Sequence, residues 1–274
     1  MTKESDCPIV LAFAGSDPTG GAGIQADIES AASMGAHVAP VVTAVTVQDT
    51  LDVQGYMPLD MNAVNEQARA VLEDMPVSVI KIGLLGSVEA AEAIHSVLID
   101  YPSIPVVFDP VLSSGAGTPL GDSDLIDAMC ELLIPLTTIL TPNSLEARSL
   151  ATEADNLEAC AHELLDMGAE YVFITGTHEN TEKVVNSLYT NQRLLDSYDW
   201  ARLPHSYHGS GCTLSSAIAA LLAQGVDPMT AVLEAQEFTW QALKYARRLG
   251  MGQYIPNRLF WAMEHEQEQN PMLQ

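Results

Sequence analysis

The sequence predicts an α/β fold: a mostly parallel central sheet with helices on both faces and a small β-ribbon at one edge. Three observations point there. Short, continuous apolar runs recur along the chain, the pattern of strands buried on both faces. Helical stretches alternate with them, as in a series of strand–helix–strand units. The polar and glycine-rich groups fall directly after the apolar runs, at the end where such sheets hold ligands.

Residues 8–14 form the first apolar run, ending at Gly15. A glycine-rich loop over 15–23 follows, then a helix over 24–34 stopped by Gly35. A second strand is expected over about 38–47. Residues 51–59 read as an extended flap running out from the main sheet. A helix near 61–74 leads to a strand over 77–82, the turn 83–86 and a helix over 87–99. The strand 105–108 ends in Asp109-Pro110-Val111. Residues 113–118 are small and polar and look mobile, with no large side chain to anchor them. A helix near 122–132 precedes a strand at 138–140 and the segment 141–147. A helix near 156–167 is stopped by Gly168, and the strand beginning at Tyr171 reaches Thr175-Gly176. Residues 184–203 alternate as an antiparallel edge ribbon. A glycine turn and helix over 208–223, a helix over about 228–248 and an acidic, glutamine-rich tail complete the chain. With no repeat and no linker-like stretch, residues 1–274 are expected to form one domain.

Composition narrows the function. The chain has 36 acidic and 11 basic residues, a formal net charge of −25, so nucleic acid and anionic membranes are expected to be repelled. No stretch approaches the roughly eighteen apolar residues of a membrane span, and the first residues lack a cationic segment with an apolar run. Four scattered cysteines without a CxxC pair suggest neither a zinc site nor a disulfide framework, so the expectation is a reducing cytoplasm with free thiols. A phosphate-bearing substrate must therefore find its positive charge locally.

The richest stretch is His208-Gly209-Ser210-Gly211-Cys212-Thr213, opening into a helix of small apolar residues. A glycine turn at a helix start presents free N–H groups and about half a positive charge, a natural anion seat. Cys212 lies at the same start, where a thiol pKa tends to fall. The alternative is a glycine turn before a buried helix, with Cys212 a small core residue. Asp109, Asn143 and Glu146 are oxygen donors of the kind Mg²⁺ takes, although Asn143 followed by Glu146 is equally a helix-capping pair. Gly20-Gly21-Ala22-Gly23 matches a dinucleotide fingerprint only in part, and no Walker sequence occurs. Asp27, one turn into the next helix, reads either as an exposed helix residue or as ligand-facing.

Taken in order, the stretches 14–27, Thr46-Val47-Gln48-Asp49-Thr50, Lys81-Ile82-Gly83-Leu84-Leu85, Asp109-Pro110-Val111, 141–147 and 208–217 resemble the hydroxymethylpyrimidine/phosphomethylpyrimidine kinases of thiamine biosynthesis, within the ribokinase-like superfamily. The resemblance runs from about residue 9 to about 250 and implies two ATP-dependent phosphorylations of one pyrimidine, the hydroxymethyl group first and the monophosphate second. Carried over residue by residue, it implies pyrimidine contacts at Gly15, Asp27 and Gln48, with apolar walls at Leu84 and Val111. Asp109 and Glu146, with Asn143, match the Mg²⁺ and phosphate end, and Thr175 and Gly176 the nucleotide side. Cys212 matches the base of a cysteine-type branch; the chemistry of the turn itself gives the N–H groups of Gly209, Ser210, Gly211 and Cys212 the task of holding the transferring oxygens. ATP, Mg²⁺, a small pyrimidine and a second copy of the chain are the implied partners, with the 51–59 flap a plausible dimer contact.

The chain departs from the family in its lid. Many members carry a lysine after Asp-Pro-Val; here it reads Leu112-Ser113-Ser114-Gly115-Ala116-Gly117. Leu84 also stands where Met is frequent, and Ser210 where Thr is common. The nearest rival reading is a pyridoxal-type kinase of the same architecture, against which the Gly15-to-Asp27 loop and Gln48 speak. A sugar kinase would be expected to carry aspartate at Cys212. A non-catalytic pyrimidine-binding relative is the alternative outside the enzymes.

Overall fold

A computed structural model of the chain describes residues 7–262. Residues 1–6 and the acidic, glutamine-rich tail lie outside these. Nine strands form one sheet in the order β3-β2-β1-β4-β5-β6-β7-β8-β9. They are β1 (Ile9–Ser16), β2 (His37–Gln48), β3 (Val53–Pro58), β4 (Val79–Ile82), β5 (Val106–Phe108), β6 (Ile139–Leu140), β7 (Tyr171–Ile174), β8 (Lys183–Thr190) and β9 (Arg193–Ala201). The pairs from β2 through β1, β4, β5 and β6 to β7 are parallel. Both edges are antiparallel, β3 on one side and the β8–β9 ribbon on the other. The expected flap is thus a true edge strand, paired with β2 from Pro58 to Val53, and does not run free of the sheet.

Among the described residues, these α-helices cover the two faces: α1 (Gly23–Ser33), α2 (Met61–Asp74), α3 (Val88–Asp100), α4 (Ser123–Ala128), α5 (Ser144–Leu150), α6 (Leu157–Asp166), α7 (Ser210–Ala223) and α8 (Pro228–Lys244). The period of two in the strands sorts the core. Leu11, Phe13, Ile80 and Ile82 face the layer that contains the buried side of α2, α3 and α6. Val10, Ala12, Ala14 and Val79 face α1, α7 and α8. Small residues let α7 pack tightly: Ala217, Ala219 and Ala220 are fully buried against the sheet and its neighbouring helices.

Two helices are shorter than their periodicity suggests. After α4 the chain continues as a π-turn (Met129–Leu133) and then a 3-10 turn (Ile134–Leu136), where Pro135 removes an N–H and prevents further α-helix. α8 ends at Lys244, and the following residues turn back so that Arg247 and Ile255 exchange backbone hydrogen bonds. The strand order reverses beside β1, with β2 on one side and β4 on the other. The crevice beyond the carboxyl ends of such strands is where ligands bind in sheets of this kind.

Candidate active site

A cleft of about 730 Å³ opens at the carboxyl ends of the parallel strands. Its walls bring together most of the residues singled out in the sequence. Gly15 comes from the end of β1, Gln48 from β2, Leu84 follows β4, Asp109 and Val111 follow β5, Asn143 and Glu146 follow β6, and Thr175 follows β7. Gly209, Ser210, Gly211 and Cys212 close it from the start of α7. Two expected residues are not on the wall. Gly176 packs against the ribbon, where a Cβ would collide with the Val185 carbonyl, and donates its N–H to Asn186 Oδ1 at 3.0 Å.

Asp27 is the second correction. It is neither exposed nor turned to the cleft. Its Oδ1 accepts from Lys81 Nζ at 2.9 Å and from Ser216 Oγ at 2.6 Å, all in the interior, and its Oδ2 has no hydrogen-bond partner among the described residues. Lys81 is fully buried in an otherwise apolar strand. Burial works against its charge, but Asp27, then Cys212 and Asp109, outweigh this and raise its pKa. Lys81 therefore remains a cation behind the site.

The glycine turn stands where the sequence puts it, at the start of α7. Gly209 adopts a left-handed conformation (φ 83°), and any Cβ there would collide with the Gly21 carbonyl. The first glycine loop and the α7 turn are thus in direct contact. His208 joins them, its Nε2 lying 2.8 Å from Asp17 Oδ2. Asp17 in turn accepts the N–H groups of Thr19 and Ala22. Burial raises the pKa of Asp17, but the bonds from His208, Thr19 and Ala22 outweigh it and leave it lowered.

Cys212 does not follow the expectation for a thiol at a helix start. Burial pushes it up to about 12; Lys81 pulls downward, while Asp109 and Asp27 push further up. Desolvation and two nearby carboxylates outweigh half a charge of helix dipole. In the ligand-free protein Cys212 is a thiol.

Asn143 and Glu146 form the capping pair that their spacing allows. Asn143 Oδ1 accepts from the N–H of Leu145 and Glu146, while Glu146 Oε2 accepts from the Asn143 N–H at 2.8 Å, a complete capping box. Glu146 is also buried beside Asp109. Burial, then the Asp109 charge, pushes Glu146 up to about 8. Burial and Asp27 push Asp109 up to about 6 against the pull of Lys81. Raised carboxyl pKa values mark a pair short of positive charge. Mg²⁺ is commonly held by one or two carboxylates with substrate phosphates and water, so Asp109 and Glu146 fit it. Among the described residues no cluster of three or more His, Cys, Asp or Glu is arranged to hold a metal by itself.

Several site features were not singled out in the sequence. Arg202 is the only arginine or lysine on the cleft wall among the described residues, and its guanidinium is taken by the carbonyls of Thr177, Glu179 and Thr181. Near it, Asn186 Nδ2 and Trp200 Nε1 both donate to Gln236 Oε1 at 2.9 Å. The segment 113–118, expected to look mobile, is folded as a small turn, with the Ser114 N–H donating to the Thr118 carbonyl, the Thr118 N–H to Ser114 Oγ, and Ser113 bridged to Pro119. Hydroxyls anchor it where no large side chain does. Ser114 Oγ and Thr118 Oγ1 donate to the two oxygens of Asp52, at 2.7 and 2.5 Å.

The chain resembles known proteins in both sequence and fold. The sequence profile described as phosphomethylpyrimidine kinase matches residues 17–257. The chain is 35% identical to a probable thiamine biosynthetic bifunctional enzyme of Oryza sativa over 91% of its own length, and spans about half (47%) of that protein. It is 34% identical to a Staphylococcus aureus hydroxymethylpyrimidine/phosphomethylpyrimidine kinase, covering 89% of this chain and 91% of the other. Among solved structures, a Bacillus subtilis pyridoxal kinase in an ADP complex superposes with a TM-score of 0.85 at 28% identity, over 94% of this chain and 99% of that one. A phosphomethylpyrimidine kinase from Clostridium difficile gives 0.74 at 33% identity, over 85% and 98%.

Proposed function

The chain belongs to the phosphomethylpyrimidine kinase family, and from that premise we propose that it phosphorylates a hydroxymethylpyrimidine with ATP, first to the monophosphate and then to the diphosphate. The observation that carries this reading is the convergence in one cleft of two ends with different chemistry. One end has Gln48, Leu84 and Val111, a polar group between apolar walls suited to a flat heterocycle. The other has Thr175, Asn143 and the acid pair Asp109 and Glu146. The Gly209–Cys212 turn shares the same wall, and in this reading its N–H groups would hold the phosphoryl group in transit.

In this reading the hydroxymethyl oxygen attacks the γ-phosphorus in line. Gln48, itself oriented by donating to Thr46 Oγ1 at 2.9 Å, holds the ring. Asp109 and Glu146 would hold Mg²⁺, which when bound neutralises phosphate charge. Phosphoryl transfer rests mainly on positioning and charge stabilisation. Cys212 lines the acceptor end and takes up the hydroxyl proton only in its thiolate fraction, which grows with pH. The lid and the β2–β3 edge exclude water from the cleft.

A pyridoxal kinase reading draws support from the close superposition on pyridoxal kinases. ADP release at fixed Mg-ATP, with hydroxymethylpyrimidine and with pyridoxal, separates the two. Turnover with the pyrimidine supports the proposal, turnover with pyridoxal alone replaces its substrate, and none with either overturns the kinase reading. We also read the exposed apolar residues of the sheet edge, Val47, Leu51 and Met57, as the contact of a homodimer. A single-chain mass by light scattering would overturn that. No helix among the described residues is long and apolar enough to cross a membrane. We also read the chain as acting in the cytoplasm, which fractionation of the cell of origin would test.

A further inference from the structure

Arg258 lies beyond α8, one residue past the stretch matched by the family profile, and is only 1% exposed. Its guanidinium reaches three separate parts of the chain. Nη2 donates to the Gly21 carbonyl and Nη1 to the Gly20 carbonyl at 3.3 Å, so the first glycine loop is held from behind. Nε donates to Thr213 Oγ1 at 2.9 Å, and that hydroxyl donates to the Gly209 carbonyl at 2.7 Å. Nη1 also reaches Glu29 Oε2 at 3.0 Å on α1. One planar group therefore spans both loops that meet at the Gly21–Gly209 contact. A lysine could supply the charge but not the fixed fork of donors.

The charge matters as well. On a chain with a net charge of −25, the N-terminus of α7 offers only about half a positive charge. Arg258 adds a full one, buried, a single hydroxyl away from the anion turn. Its carboxylate partner Glu29 is half-exposed, so water screens Glu29 while the guanidinium stays dry.

We propose that Arg258 is a positioning residue of the phosphoryl seat: it sets the separation of the first glycine loop from the α7 turn and supplies buried positive charge beneath them. The inference rests on the phosphotransferase reading for its functional meaning, but its structural half can be tested without any turnover. The test uses the full chain with Arg258→Met, Arg258→Lys and Thr213→Val. Amide hydrogen exchange is followed in the ligand-free proteins, with pyrimidine affinity by calorimetry and kcat by ADP release.

In Arg258→Met, exchange should rise at least about tenfold in both 20–22 and 209–213. kcat should fall by about a hundredfold while pyrimidine affinity stays within about threefold. Arg258→Lys should recover no more than about a tenth of the lost rate, because it restores charge without the fork. Unchanged exchange in either loop, or a loss of pyrimidine affinity as large as the loss of rate, overturns the proposal. If Arg258→Met does not fold, Thr213→Val decides. It cuts only the link to Gly209, so faster exchange in 209–213 with 20–22 still protected supports the proposal, and unchanged protection in both refutes it. Should the wild type turn over neither substrate, the kinase reading fails while the exchange result still stands or falls alone.

Discussion

Glu146→Gln should make the ligand-free protein more stable at neutral pH while removing its turnover. Glutamine at this position can still accept the Asn143 N–H, so the capping box survives. What disappears is a carboxyl that burial and Asp109 push from 4.5 up to about 8. The sign follows from proton linkage. A carboxyl whose folded pKa lies above its unfolded value stabilises the fold below the unfolded pKa, and that contribution is lost as pH rises toward the folded pKa. With a shift of that size, the loss is on the order of 3 kcal/mol at pH 7 and about 1 kcal/mol at pH 5. For a chain of this size, a gain of that order in the neutral variant is a rise in Tm of roughly 5–10 °C at pH 7–8, shrinking to a degree or two at pH 5. Thermal melts across pH 5 to 8 measure it directly. Turnover in the same variant should fall at least about a hundredfold, since glutamine carries no charge for Mg²⁺. A Tm gain that does not grow with pH, or a loss at pH 8, would refute the argument that Glu146 is held against its own ionisation.

Two further expectations concern the cleft. With the Cys212 thiol near 12, any route that uses it as base should speed up about tenfold per pH unit across the neutral range, without a plateau below pH 9. Cys212→Ala should flatten that slope above pH 8, beyond the ionisation of Asp109 and Glu146, and a slope there that survives the substitution would place the base elsewhere. Asp52→Ala should release the lid by freeing Ser114 and Thr118 together. ADP formed without pyrimidine should then rise about tenfold relative to ADP formed with it, as water reaches the nucleotide. An unchanged ratio would show that the lid holds without Asp52.

Much of the fold can be read from the sequence because each parallel strand is a short apolar run that ends in a glycine or polar residue. Residues 8–14 and 105–108 could hardly be anything else in a chain with so many helical intervals. The wall of the cleft is legible for the same reason, since it is made of the residues immediately after each strand. Pairings between distant side chains are not legible in this way. His208 and Asp17 are 191 residues apart, and nothing in either segment names the other. Lys81 does leave a signal, a charge inside Val79-Ile80-Lys81-Ile82, but the resemblance directs its partner Asp27 to the ligand instead. The thiol of Cys212 is misjudged because the helix start is local and visible, whereas the burial and the carboxylates that outweigh it come from other elements. The flap reads as free because Val53–Pro58 mixes a polar residue, a glycine and a proline with few apolar ones, although the four residues between it and β2 are the length of an ordinary hairpin loop.

The contact between Arg258 and Gly21 joins residues 237 positions apart. During translation at about 5–20 residues per second, the first glycine loop leaves the ribosome roughly ten to fifty seconds before the guanidinium that will hold it. Throughout that interval the nascent chain can assemble its sheet but not the finished seat. On the reading of Arg258 proposed above, the seat therefore reaches its full geometry only when the segment bearing Arg258 has been made and folded back, and a chain interrupted upstream of it would be left with a slower, looser seat.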